Sequence, residues 1–209
     1  MEMLLREELR SWSEGVEMGE QFQKIVRDLV ELKDTSELMM DLAYSSLLLS
    51  SRELAGEVLR LEERVNVLHR DFHLLILSCR MTEKEAEDFL GLIRIGEVTE
   101  RIADAAAEIA GVVLSGLEPH PVLRLVIEDA EETVVRVRIS EDSPLVGKTL
   151  KEARIPEQTG MWILVIRRGD KWMRPTPRTV LQVEDILLAS GYAEGEEDFR
   201  KMAGEEHIR

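Results

Sequence analysis

The apolar residues of this chain change their period once, near residue 133, and that change limits the fold more than any other feature. Upstream they return every three or four positions. Phe22, Ile25, Val26, Leu29, Val30 and Leu32 form one stripe, and Leu38, Met39, Leu42 and the run 47–49 continue it. This is the pattern of a helix with one buried side. From Thr133 the period is two: Thr133, Val135, Val137 and Ile139 alternate with Val134, Arg136, Arg138 and Ser140, as in a half-buried strand. A chain of 209 residues has room for two small domains. The fold class expected is α+β, with a helical domain first and a small sheet domain second.

Punctuation places the helices. Residues 1–15 give a short amphipathic start (Met3, Leu4, Leu5, Leu9, Trp12), a separate helix or a docking tail. A first long helix begins near Val16. Lys33-Asp-Thr-Ser36 is a candidate break in it, because Thr35 or Ser36 is able to cap a new start. Ser50-Ser51-Arg-Glu53 is a clearer restart, followed by a helix that turns Leu54, Val58, Leu61, Val65, Leu68, Phe72 and Leu75 inward. Thr82-Glu-Lys-Glu85 has the form of a capping box and opens a third helix, which ends near Ser115-Gly116 before Pro119 and Pro121. Three long helices with short connections make an antiparallel bundle over residues 1–120. Residues 121–132 connect, with Val122 to Ile127 expected as a short packed helix. Residues 133–209 then read β-α-β-β-β-α, with Arg167-Arg-Gly169-Asp170 as a hairpin turn.

Charge narrows the partners. With 42 acidic and 27 basic residues the net charge is -15, which repels nucleic-acid phosphates and anionic lipid headgroups. The basic residues Arg167, Arg168, Lys171, Arg174 and Arg178 are dispersed over a hairpin and a loop. Nucleic acid and direct membrane insertion are therefore not expected. No apolar run approaches the ~20 residues that span a bilayer, so a cytoplasmic protein is expected. Cys79, the single cysteine, lies in an apolar run and reads as a small buried hydrophobe. The single asparagine and the abundance of Glu and Arg suit a heat-adapted source.

Two stretches carry family resemblances. Ser143-Pro-Leu-Val-Gly-Lys-Thr-Leu150, Val165-Ile-Arg-Arg-Gly169, Pro175, Thr179-Val-Leu181 and Glu184-Asp-Ile-Leu-Leu-Ala-Ser-Gly191 resemble the TrkA-C domain, also called the C-terminal RCK domain, of potassium channels and transporters. That family usually has Gly-Asp where this chain has Glu184-Asp185. Glu tolerates positive φ poorly, so a different turn conformation is expected there. Residues 18–115 resemble one three-helix PhoU repeat, chiefly through Glu97-Val-Thr-Glu100-Arg-Ile-Ala-Asp104, similar to the family's Glu-Arg-Ile-Gly-Asp motif with Ala103 in place of Gly. Together they resemble the PhoU–TrkA-C fusion proteins of archaea. The resemblance implies a non-enzymatic regulatory protein of potassium or other cation transport, working as a homodimer with a membrane channel or transporter as partner. A metal-binding PhoU-like adaptor in phosphate or other transport signalling is the alternative. The chain has no Gly-x-Gly-x-x-Gly after a strand, so NAD binding and redox chemistry are not expected.

Asp34, Glu37 and Asp41 are spaced i, i+3, i+7, and Glu97, Glu100 and Asp104 repeat that spacing. On a helix each trio is one carboxylate stripe. The PhoU resemblance implies metal ligation by Glu-x-x-x-Asp pairs, which here are Glu37/Asp41 and Glu100/Asp104. Carboxylate-only ligation favours Mg²⁺, Ca²⁺, Mn²⁺ or iron over zinc. A solvated acidic face is the competing reading, with Arg101 neutralising Glu97 and Glu100. His69 and His73 stand at i, i+4 without the intervening Glu of a zincin, and read either as a packed or solvent-edge pair or as a transition-metal site. In the sheet domain the ligand implied by resemblance is a cyclic dinucleotide or a cation. Arg167, Arg168 and Arg174 are candidates for phosphate contact, and Trp162 or Trp172 for stacking on a base. No Ser-His-Asp or Cys-His arrangement is present, and Gly147-Lys-Thr149 lacks the upstream glycine of a phosphate loop, so no catalytic residue is assigned.

Overall fold

The computed structural model describes residues 16–79, 82–116 and 132–205. The expected amphipathic start and the expected short helix near 122–127 lie outside them. Three long helices come first: α1 Val16–Leu48, α2 Arg52–Ser78 and α3 Glu83–Leu114. Only Leu49 to Ser51 separate α1 from α2, so the chain reverses, helped by Ser50 at φ 48°. The candidate break at 33–36 does not occur. Ser36 is buried, and its hydroxyl donates to the Leu32 carbonyl at 2.9 Å, one turn back. With that hydroxyl satisfied inside the helix, nothing draws it into a cap. Lys33 adds an i, i+4 ion pair to Glu37 at 3.0 Å across the same stretch. At the far end α3 stops at Leu114, and Gly116 takes φ 70° just beyond.

By its contacts the chain divides into two compact units, residues 1–40 with 57–108, and residues 41–56 with 109–209. The first unit is helical. Ile25, Leu32, Met39, Val58, Val65, Phe72 and Ile76 are essentially without solvent exposure, as are the small residues Ala103 and Ala106 of α3. Gly96 sits against Phe72: a Cβ there would lie 2.8 Å from Phe72 Cε1. An alanine would gain about 1 kcal/mol in helix propensity, but overpacking against a fully buried ring costs about 1–3 kcal/mol, so glycine is favoured.

The second unit is built on a four-stranded antiparallel sheet. Its elements are β1 Glu132–Arg138, α4 Leu150–Ala153, α5 Ile155–Thr159, β2 Met161–Arg168, β3 Lys171–Met173, β4 Ile186–Tyr192 and α6 Glu196–Ala203, with a 3-10 turn at Ala193–Gly195. The strand order is β1-β4-β2-β3. The expected single helix after β1 is two short ones, divided at Arg154, which is left-handed at φ 47°. Thr149 caps α4 in a full capping box with Glu152, which makes Gly147-Lys-Thr149 a turn-to-helix start. The period-two residues Val135, Val137 and Ile139 pack with Leu145, Ile155, Met161, Ile166, Leu187, Ala189 and Phe199 into one core.

The turn before β4 departs from expectation. Glu184 adopts φ 69°, so the left-handed conformation that suits glycine is kept and the side chain is accommodated. Its N–H donates to the Ile139 carbonyl at 2.9 Å. Beside it, Asp185 is 1% exposed and accepts a two-pronged contact from Arg168, Nε to Oδ1 at 2.8 Å and an Nη to Oδ2 at 2.7 Å. The Gln182 N–H donates to the same carboxylate at 2.9 Å. These bonds hold the turn in a shape that glutamate does not favour. Removing the guanidinium leaves a buried carboxylate with only a backbone donor. We expect Arg168→Ala to lower stability by about 2–4 kcal/mol, whereas Glu184→Gly raises it by up to about 1 kcal/mol; chemical denaturation of both variants checks the opposite signs.

Candidate functional site

Two side-chain groups in separate units carry chemistry. In the helical unit, α2 presents His69 and His73 with ring centroids 4.2 Å apart and planes tilted by 57°. The edge of His69 bearing Cδ2 faces α3, because a Cβ on Gly96 would be 3.8 Å from that atom. Burial comes first in holding the His69 pKa below its usual value, and His73 adds to it. Glu100, Glu97 and Asp104 of α3 act in the opposite sense. Glu100 and Asp104 are half-buried and Glu97 is exposed. On α1, Glu37 is engaged by Lys33. Among the described residues no group of three or more His, Cys, Asp and Glu side chains is gathered around one point that would hold a metal ion.

Asp41 belongs to the second unit. Burial pushes its carboxyl up to about 6. Arg174 Nε is 3.8 Å away, beyond hydrogen-bond reach, and leaves that desolvation uncompensated.

The second group lies on the sheet face opposite the core. Pairing sets three rows across β1, β4 and β2: Val134–Ser190–Trp162, Arg136–Leu188–Val165 and Arg138–Ile186–Arg167. Residues paired across antiparallel strands share a face, so the arginines and Trp162 lie on one face, of which Val165 and Leu188 are fully buried and Trp162 is open to solvent. Glu53, in the first turn of α2, is the acceptor for two of these three arginines, Arg136 at 3.2 Å and Arg167 in closer contact, while Arg138 pairs with Glu184 at 3.0 Å. Arg167 also lies over the Trp172 ring at 5.5 Å.

The candidates for ligand contact thus separate. Arg168 is committed to Asp185, and Trp172 is buried at 9% exposure. Trp162 is 64% exposed and able to stack against a flat ring. Arg136 and Arg167 meet an anion only in competition with Glu53. Glu53 was not legible as a partner: it is 83 and 114 residues from the arginines it accepts. Cys79 is partly buried, its Sγ donates to the Leu75 carbonyl at 3.3 Å, and burial pushes its thiol pKa up. It is not an activated nucleophile.

Residues 29–113 match the PhoU domain family, and residues 134–204 match the TrkA-C domain family. The chain carries a PhoU domain followed by a TrkA-C domain. Among curated proteins it is 38% identical over 72 residues to potassium channel protein 1 of Methanocaldococcus jannaschii, covering 34% of this chain and 22% of the channel protein. It is 37% identical over 78 residues to the probable sodium/sulfate cotransporter 3 of Chlamydomonas reinhardtii, covering 37% of this chain and 8% of the cotransporter. The chain therefore spans about a fifth or less of the length of these relatives. Among solved structures, the RCK_C domain dimer of S. agalactiae BusR in complex with c-di-AMP is 24% identical, with TM-score 0.34 over 35% of this chain and 97% of that one. The KtrA RCK C domain in complex with c-di-AMP is 27% identical, with TM-score 0.32 over 38% of this chain and 93% of that one.

Asp41, the first residue of α1 in the second unit, gives this region a pH dependence. Its folded pKa lies above the ordinary carboxylate value of 3.8, so the folded state holds the extra proton between about pH 4 and pH 6. Stability from this group falls as pH rises through that window. Asp41→Asn should flatten the stability profile there and raise stability at pH 7 by about 1–2 kcal/mol, read from urea denaturation at pH 4.5 and pH 7.

Proposed function

We propose that this protein regulates the transport of cations, potassium foremost, across a membrane. The TrkA-C domain senses a small ligand as a homodimer, and the PhoU domain docks on a membrane channel or transporter. The observation that carries this reading is the matched TrkA-C domain, supported by 38% identity to a segment of a potassium channel protein. The matched families are regulatory, which supports a role without catalysis.

On this reading Trp162 and the row it shares with Ser190 and Val134 receive the flat part of a ligand, with a cyclic dinucleotide as the first class to test and a cation as the second. Glu53 would be displaced as ligand phosphate reaches Arg136 and Arg167. That exchange couples ligand binding to the first turn of α2, because one carboxylate cannot keep both partners once an anion takes them.

Two measurements test the reading. Titration with c-di-AMP should quench tryptophan fluorescence in the wild type, while Trp162→Ala lowers affinity at least tenfold; equal binding by the variant overturns the assigned contact. Co-expression with a potassium channel should co-purify the two proteins, and a ligand-dependent change in the scattering profile of the dimer should accompany binding. Failure to co-purify with any cation channel or transporter from the same genome removes the transport partner.

A further inference from the structure

Three buried side-chain polar atoms lack a hydrogen-bond partner among the described residues: His69 Nε2, His73 Nε2 and Ser140 Oγ. Two of the three belong to neighbouring rings on one helix face. Leaving a buried polar atom unpaired costs about 1–3 kcal/mol, and native structures hold few such atoms without an ion, a water or a functional reason. Two at one place, on rings 4.2 Å apart, point to a shared occupant.

We propose that His69 and His73 bind one borderline transition-metal ion such as Zn²⁺ or Ni²⁺ through their Nε2 atoms, with Glu100 of α3 as the carboxylate that turns in to complete the site. Histidines at i, i+4 project from the same side of a helix and chelate one ion. Two nitrogens each ~2.0–2.1 Å from a tetrahedral ion stand about 3.4 Å apart, which rings at this centroid separation reach by small side-chain rotations. Imidazole selects zinc, nickel and copper, whereas carboxylates alone select magnesium, calcium and manganese. The site is therefore chemically distinct from an all-carboxylate one built on Glu37, Asp41, Glu100 and Asp104.

The surroundings suit a dication. Glu100, Glu97 and Asp104 all act electrostatically on His69 and would offset the metal's charge. Gly96 lets α3 approach this part of α2, since a Cβ there would meet Phe72 and His69. No three such side chains are gathered around one point among the described residues, so the Glu100 side chain has to rotate to reach an ion held by the two rings.

The test is calorimetry of the full chain with Ni²⁺, Zn²⁺ and Mg²⁺, repeated on His69→Gln, His73→Gln, Glu100→Gln and the pair Glu37→Gln/Asp41→Asn. The expected result is one Ni²⁺ or Zn²⁺ per chain and no Mg²⁺ signal. Either histidine variant should weaken binding at least a hundredfold, Glu100→Gln at least tenfold, and Glu37→Gln/Asp41→Asn not at all. Circular dichroism of each variant verifies that α2 and α3 are retained, and glutamine keeps the helix because its propensity is good. A wild type that takes up no Ni²⁺ or Zn²⁺ overturns the proposal, leaving water as the occupant of the site. So does uptake that survives both histidine variants, or that is lost with Glu37→Gln/Asp41→Asn instead. The outcome is independent of ligand sensing by the TrkA-C domain.

Discussion

The paired contact of Arg168 with Asp185 is the interaction on which the TrkA-C domain depends. Asp185 is 1% exposed, and a carboxylate so buried is tolerated only with a cation and further donors around it. Arg168 ends β2, and Asp185 immediately precedes β4. The pair therefore fixes the register of the two central strands from their ends and also reaches the Val180 carbonyl at 2.7 Å. The left-handed turn at Glu184 is a consequence. It is held by the bond from the Gln182 N–H to the Asp185 carboxylate and by that from the Glu184 N–H to the Ile139 carbonyl, each 2.9 Å.

The PhoU helices depend on a different constraint, the close approach at Gly96. Contact with Phe72 leaves no space for a side chain, and the same approach brings the His69 edge to α3. The missing Cβ thus serves packing against Phe72 and the approach of His69 alike, and the neighbouring rings of His69 and His73 hold two buried, unpaired nitrogens. On a free helix both rings would be solvated and would need no partner.

Much of the fold was legible because it rests on periodicity and punctuation. The stripes of α1 to α3 and the alternation through Val135, Val137 and Ile139 are local patterns, and they fold as their spacing dictates. The turn at Glu184 was misread because local propensity weighed against positive φ, while the deciding bonds come from residues distant in sequence. The site was legible only as residue types. Spacing put Arg167, Arg168 and Arg174 in one group, yet Arg168 is structural, Arg167 answers to Glu53 and Arg174 lies near Asp41. Likewise the two tryptophans could not be told apart until one was exposed and the other buried beneath a guanidinium.

By itself the sequence determined a helical PhoU segment ahead of a TrkA-C sheet, because helix and strand periods and short turn motifs act over a few residues and need no distant partner. Only the tertiary structure decided which charges are free, which ring faces solvent and which imidazole nitrogens are buried. Those properties follow from contacts across 17 residues for Arg168 with Asp185 and 114 for Arg167 with Glu53. Desolvation and pairing depend on what folding brings alongside a group, and no local pattern encodes that.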